Sequence, residues 1–447
     1  MSDSIIAEYN DILAGYAGRI HEINDHVHAE LTRRRILYGG DVARTFLRPS
    51  LLTAKQFAKL ERSCNVLIGA VNTILAKVYD GSVERMGRAL GLAPSELELT
   101  VLDPGYELLV AINRMDAFVK GDSLTFLEFN CDSPAGIAYA DEMAEVLRST
   151  QFFQEFAKRH SVHTPSGRQS LLDAFGRIYK QWGGTEPLRI AIVDWKGIAT
   201  SPEFDLFQTY FRDKGLFCTI ADPRDAEYDG KTLSFGGEPV NFVYKRVIVG
   251  ELLAKRDEAK AFLNAYRGHA ACFANSFRSR LADNKAILAL LSDPALNSRF
   301  SKEEREVVAA SIPWTRRVAE GRTLVGEREV DLVDYIRHHR AELVLKPNTE
   351  YGGRDVFIGP EVSDADWDAV IGRALGSDWV VQHLVAIPEE PFPVVTPEGL
   401  TFQSRKVNIN PFALGGAYGA CVSRLSTQSI INVRVGGGAI PLFVVDN

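Results

Sequence analysis

Between Ala54 and Tyr79 apolar side chains recur at helical spacing: Phe57, Leu60, Val66, Leu67, Val71, Ile74 and Leu75. That spacing predicts one long helix packed along a single face. The pattern changes at Leu124–Phe129, a short apolar run rich in strand formers, which predicts a buried strand. Asp132-Ser-Pro-Ala-Gly136 forces a turn after it. Gly121-Asp-Ser123 makes a turn before it, so Asn113-Arg-Met-Asp116 falls on the other half of a hairpin. Period-two alternation sends Glu128 and Asn130 to one face, opposite Leu127 and Phe129, and a hairpin brings Arg114 and Asp116 beside them.

A second pattern starts near Leu188. Leu188–Trp195 predicts a buried strand, Glu203–Lys214 a helix closed by Gly215, and Leu216–Ala221 another strand. Leu233–Phe235 and Val240–Arg246 continue the series, which predicts a βαβ unit with a parallel sheet. No G-x-G-x-x-G follows its first strand, so a dinucleotide site is not indicated. Asn284–Asp293 reads as a helix. Leu343–Asn348 and Asp378–Val385 read as strands, with Glu350-Tyr-Gly-Gly353 opening a glycine loop between them. From Leu400 to Val445 strands and turns alternate. There is no internal repeat.

Composition narrows the function classes. A net charge of −7 over 447 residues argues against a non-specific nucleic-acid binder, which needs a basic face. The first residues lack a basic n-region and a long apolar core, and no apolar run approaches a membrane span. These features predict a cytoplasmic chain with no membrane or nucleic-acid partner, and leave a homodimer open. The five cysteines are scattered without a C-x-x-C pair, which fits reduced thiols.

Candidate chemistry lies in three places. Asp116, Glu128 and Asn130 form the oxygen cluster that Mg²⁺ prefers, one or two carboxylates with the other positions left to water and phosphates. The plain alternative is a solvated polar face. Lys346 sits on an apolar strand, where an unpaired ammonium is costly. Gly352 and Gly353 behind it let backbone N–H groups approach a polyphosphate. The alternative there is a glycine turn beside a snorkelling lysine. Gln382, His383 and Leu384 offer backbone groups to an adenine edge, and Glu389 or Glu390 a carboxylate to ribose; an ordinary strand and acidic loop is the alternative. Arg44 and Arg48 are either solvated or meet an anionic substrate.

Taken together, Lys285, Lys346 with Gly352-Gly353, the Val380-Val-Gln382 strand and the R-x-D…E-x-N set resemble an ATP-grasp ligase. The order is inverted, because Asp116 and Glu128-Phe-Asn130 precede the lysines. That order, with Val243-Tyr-Lys-Arg246 and the tail from Asn410-Pro-Phe to Ser423-Arg-Leu-Ser, is similar to the circularly permuted ATP-grasp proteins related to glutathionylspermidine synthase. The resemblance implies an α/β (α+β) fold in three parts. Residues 1–160 would be a helical segment plus the metal-binding half of the ATP-grasp domain. Residues 186–275 would be a Rossmann-like pre-ATP-grasp domain, and 276–447 the ATP lid and remaining half. It implies ATP and Mg²⁺ as cofactors. Lys285 and Lys346 would hold phosphates, Gly352 and Gly353 the lid, and Gln382, His383, Leu384 and Glu389 the nucleoside. Asp116, Glu128 and Asn130 would take the metal, and Arg114 and Arg424 the transferring phosphate. The implied reaction joins a small-molecule or peptide carboxylate to an amine through an acyl phosphate. A phosphotransferase on the same cradle and a non-catalytic nucleotide-binding protein are the rival expectations.

Overall fold

The computed structural model describes residues 2–38, 41–42, 45–350, 353–431 and 437–446. Its centre is an eight-stranded sheet. Across it run Ser50–Thr53, Gly438–Asp446, Ala417–Ser426, Gly399–Leu414, Ile112–Lys120 and Ser123–Asn130, with Glu389–Thr396 and Ser161–His163 attached at the side. Front and back of the chain therefore share one sheet, Ile112 in register with Leu414 and Arg114 with Phe412.

The predicted hairpin is present, with Asp116 opposite Glu128 and Arg114 opposite Asn130. Its alternation breaks once. The register shifts beside Asp116, so Ala117 faces Phe126 and Leu127 is the extra residue of a bulge. Leu127 thus lines the cleft with Glu128, while Phe129 stays in the core.

The long helix spans Ala54–Val78. Thr53 caps it, its hydroxyl accepting from the Gln56 N–H while the Gln56 side chain accepts from the Thr53 N–H. Leu60, Cys64, Leu67, Val71 and Ile74 form its buried face and share a core with Met115, Leu425 and Val444 of the central sheet.

A second sheet has the order Cys272–Ala274, Phe242–Lys245, Arg189–Val193, Phe217–Ala221, all parallel. Helix Ser201–Asp213 makes the expected crossover. Leu233–Phe235 departs from expectation, pairing antiparallel with Glu238–Val240 and Ala226–Tyr228. Gly236 and Gly237 are both left-handed, at φ 59° and 77°; such a two-residue turn returns the chain antiparallel.

A third sheet, Thr315–Arg317, Trp379–His383, Leu343–Pro347 and Phe357–Ile358 in order, is antiparallel. The helix expected over 284–293 is shorter, Ala286–Leu291. The Ala286 N–H donates to the side-chain oxygens of Asn284 and Asn348 at 3.0 and 2.7 Å, which fixes its start beside the strand of Lys346. Among the described residues no single helix is long and apolar enough to cross a membrane.

The loop after the hairpin is anchored to the parallel sheet by a buried ion pair. Lys245 Nζ lies 2.6 Å from Asp132, and the second Asp132 oxygen accepts from the Val249 N–H at 2.8 Å. Removing one partner strands the other charge out of water. Asp132→Ala is therefore expected to lower the unfolding free energy by about 3–5 kcal/mol. Asp122→Ala, which removes the exposed partner of Lys55, is expected to leave it nearly unchanged. Urea denaturation of both variants checks the contrast.

Candidate active site

The polar face of the hairpin and the third sheet look at each other across one cleft of about 1100 Å³, its open mouth included. Arg114, Asp116, Glu128 and Asn130 line it from the hairpin, and Arg424 from the neighbouring strand. Lys285, Lys346, Gly353, Gln382, His383 and Leu384 line it from the other side. Gly352, like Arg44, lies outside the described residues.

Asp116 is the hub on the hairpin side. One of its oxygens accepts from Arg114 Nε at 3.1 Å, Asn410 Nδ2 at 3.1 Å and Asn130 Nδ2 at 3.3 Å. The other accepts from an Arg424 Nη2. Burial pushes this carboxyl up, but Arg424 and Arg114 outweigh it and hold the group below the usual carboxylate range. Arg424 is also fixed by Asn410 and Asn408, whose oxygens accept at 2.8 Å each. Neither Asn408 nor Asn410 is among the expected site residues. Their N-x-N spacing on a strand puts both amides on one face, the signal that would have found them.

Across the cleft Lys285 Nζ donates to the Glu350 carbonyl at 2.7 Å and lies 3.5 Å from Glu128. Lys346 Nζ donates to Gln382 Oε1 at 2.8 Å. Burial pushes the Lys346 ammonium down to about 8, against the pull of Glu128. Gly353 sits at φ 77°, and a Cβ there would come within 2.4 Å of Ile430 Cγ2, so this position requires glycine twice over.

Two expectations are corrected. Neither Glu389 nor Glu390 lines the cleft. Glu389 accepts from Ser404 Oγ at 2.9 Å on its own sheet, and Glu390 turns inward to Arg48 at 2.7 Å. Arg48 is neither solvated nor in the cleft; it is fully buried, with its guanidinium 3.7 Å over the Phe392 ring. The carboxylates that do approach His383–Ile387 are Glu342 and Glu361, in a recess beside the cleft. The His383 and Leu384 N–H groups are already spent on the Trp314 and Glu342 carbonyls, at 2.9 and 2.7 Å.

The lining suits a polyanion. Arg114, Lys285, Lys346, Arg354 and Arg424 face Asp116, Glu128 and Glu350, and apolar Val344, Ile358, Leu384 and Ile387 close one end. A nucleoside triphosphate has this division of character. For Mg²⁺ the fit is partial. Among the described residues no cluster of three or more His, Cys, Asp or Glu is poised for a metal, so phosphate oxygens would have to complete the shell, as Mg²⁺ sites usually allow. Glu128 and the Asn130 carbonyl oxygen supply suitable donors. The Asp116 oxygens are occupied by two guanidinium groups and two amides, and would join only if Arg424 withdrew.

No protein-family model matches the sequence. An uncharacterized protein of Mycobacterium bovis is 22% identical over 441 residues, spanning 89% of this chain and 73% of its own length. One from Synechocystis sp. is 23% identical over 429 residues, spanning 89% of this chain and 83% of its own. Among solved structures, a glutathione synthetase-like effector from Globodera pallida matches with TM-score 0.61 and 10% identity, over 95% of this chain and 96% of that one. The chain therefore shares the mixed α/β fold of this effector.

The depressed Lys346 has a measurable consequence. Unfolded, a lysine keeps its proton to about 10.5; folded, this one gives it up near 8. Between those values the unfolded chain binds more protons, so stability rises with pH through that window. The difference in unfolding free energy between wild type and Lys346→Met is expected to shift in favour of wild type from pH 8 to pH 10. Denaturation curves at several pH values check this.

Proposed function

We propose that this chain is an ATP-dependent carboxylate–amine ligase of circularly permuted ATP-grasp type, acting on a small-molecule or peptide acid. The observation that carries the reading is the meeting of two distant segments. The acidic hairpin near the front and the strand of Lys346 with Gly353 near the back line one cleft. The likeness in fold to a glutathione synthetase-like protein supports it, and so does the insertion of the hairpin beside the C-terminal strands.

In this reading Lys285 and Lys346 hold the triphosphate, and the apolar end takes the base. The base edge falls to Val385, which lines the cleft and whose N–H carries no backbone partner among the described residues. Glu128 and Asn130 would hold Mg²⁺, which would supply positive charge to neutralise the phosphate. Arg114 and Arg424, kept in place by Asp116, face the phosphoryl group as it moves to the acid. They act by fixed positive charge, the main protein contribution to phosphoryl transfer. An amine then attacks the acyl carbon and phosphate leaves. Gly353 packed on Ile430 narrows the mouth, which protects a hydrolysable intermediate from water.

The test is incubation with ATP, Mg²⁺ and pooled carboxylic acids, amino acids and polyamines, reading ADP, phosphate and new amides by mass spectrometry. Amide formation is expected, with Lys346→Ala and Glu128→Ala each lowering turnover by about 10²-fold or more. ADP formed only with hydroxyl acceptors, and no amide from any pair, would overturn the ligase reading in favour of a kinase.

A further inference from the structure

We propose that Gln382 is a positioning residue that aims Lys346 at the polyphosphate, and that it does not read the base. The inference rests on the nucleotide reading of the cleft and on nothing about the acid or amine. Gln382 lies on Trp379–His383, opposite Val344, and Lys346 is two residues along the facing strand. The two side chains meet diagonally on the same face of the sheet.

The hydrogen bonds leave the Gln382 amide one orientation. Thr315 is fully buried, and its hydroxyl proton goes to the Pro313 carbonyl at 2.9 Å. The hydroxyl oxygen can then only accept, and it accepts from Gln382 Nε2 at 3.0 Å. Oε1 must therefore point the other way, to Lys346 Nζ at 2.8 Å. With each end held by one partner, the amide is locked in this orientation, and its second N–H and lone pair share the burial of the side chain. It is 2% exposed and cannot swing out without leaving Thr315 and Lys346 unsatisfied.

The choice of an amide has a physical reason. An ammonium has three donors. Gln382 takes one, which selects a single direction for a long flexible side chain and leaves the others for the cleft. A carboxylate at this position would hold Lys346 equally well but cancel its charge. A neutral acceptor orients the lysine and leaves the charge available to phosphate.

Calorimetric titration with ATP and with adenosine separates the two roles. Gln382→Leu is expected to weaken ATP about tenfold or more, the loss of one charge-assisted hydrogen bond, with adenosine unchanged. Thr315→Val, which keeps the Lys346 contact but frees the far end of the amide, should weaken ATP by a smaller factor with the same selectivity. On a Lys346→Met background Gln382→Leu should change ATP affinity by less than about twofold, because the two residues act through one contact. Equal losses of ATP and adenosine, or additive effects of Gln382→Leu and Lys346→Met, would overturn the positioning role while leaving the nucleotide cleft standing. If wild type binds neither probe, the nucleotide reading fails and takes this inference with it.

Discussion

A carboxylate with almost no access to water, Asp116, organises this molecule. Burying such a charge alone is prohibitive, and it persists only where opposite charge and hydrogen bonds replace the lost hydration. The replacement comes from both ends of the chain. Arg114 and Asn130 belong to the hairpin that carries Asp116, whereas Asn410 lies 294 residues away in sequence and Arg424 308. The central sheet has to close before this charge is satisfied. Formation of the sheet and assembly of the positive end of the cleft are thus one event.

The opposite wall is tied to the main chain at the end of the hairpin by a side-chain carboxylate, which is why the cleft has a definite width. Asp283 Oδ1 accepts from the Cys131 and Asp132 N–H groups at 2.6 and 2.9 Å. Two residues later Lys285 enters the cleft, its own N–H donating to the Asn348 carbonyl at 3.1 Å. Asn348 in turn lies two residues beyond Lys346. A short path through the Asp283 carboxylate and the backbone therefore runs from the end of the acidic strand to both lysines. Glu203 reinforces it from the parallel sheet's crossover helix, accepting from Gly136 and Ala138 N–H at 2.8 and 3.1 Å.

What the sequence reveals and hides follows from the range of each signal. The helix Ala54–Val78 and the hairpin were legible because apolar spacing and turn residues are local. Lys346 and Gly353 were legible as chemistry, since an ammonium on an apolar strand beside a glycine loop asks for a partner. The bulge at Leu127 was not, because it arises from register against the partner strand. Glu389 and Glu390 looked free because their partners, Ser404 and Arg48, are set by tertiary pairing. Gln382 lines the cleft, but its amide is held by Thr315 and Lys346, and no pattern along one strand shows what lies across the next. Asp116 shows the same limit: its residue type marks it as an oxygen donor, and only the fold shows that cations already occupy it.

The charge balance of the cleft then decides what can enter it. Five cationic and three acidic side chains share the lining, and their walls are protein, so their fields are screened far less than on an open surface. Burial lowers the proton affinity of both Lys346 and Arg424, which means that both cations carry a deficit of hydration. A neutral ligand would displace water and leave that deficit in place. A polyanion removes it, and by doing so raises the proton affinity of Lys346 again. In the proposed reading, affinity for phosphate and protonation of Lys346 are therefore linked, and above about pH 8 binding is expected to draw a proton from solvent. In the proposed reading the apolar end contributes area and orientation, and the deficit at the two cations favours a triphosphate over a neutral molecule of its shape.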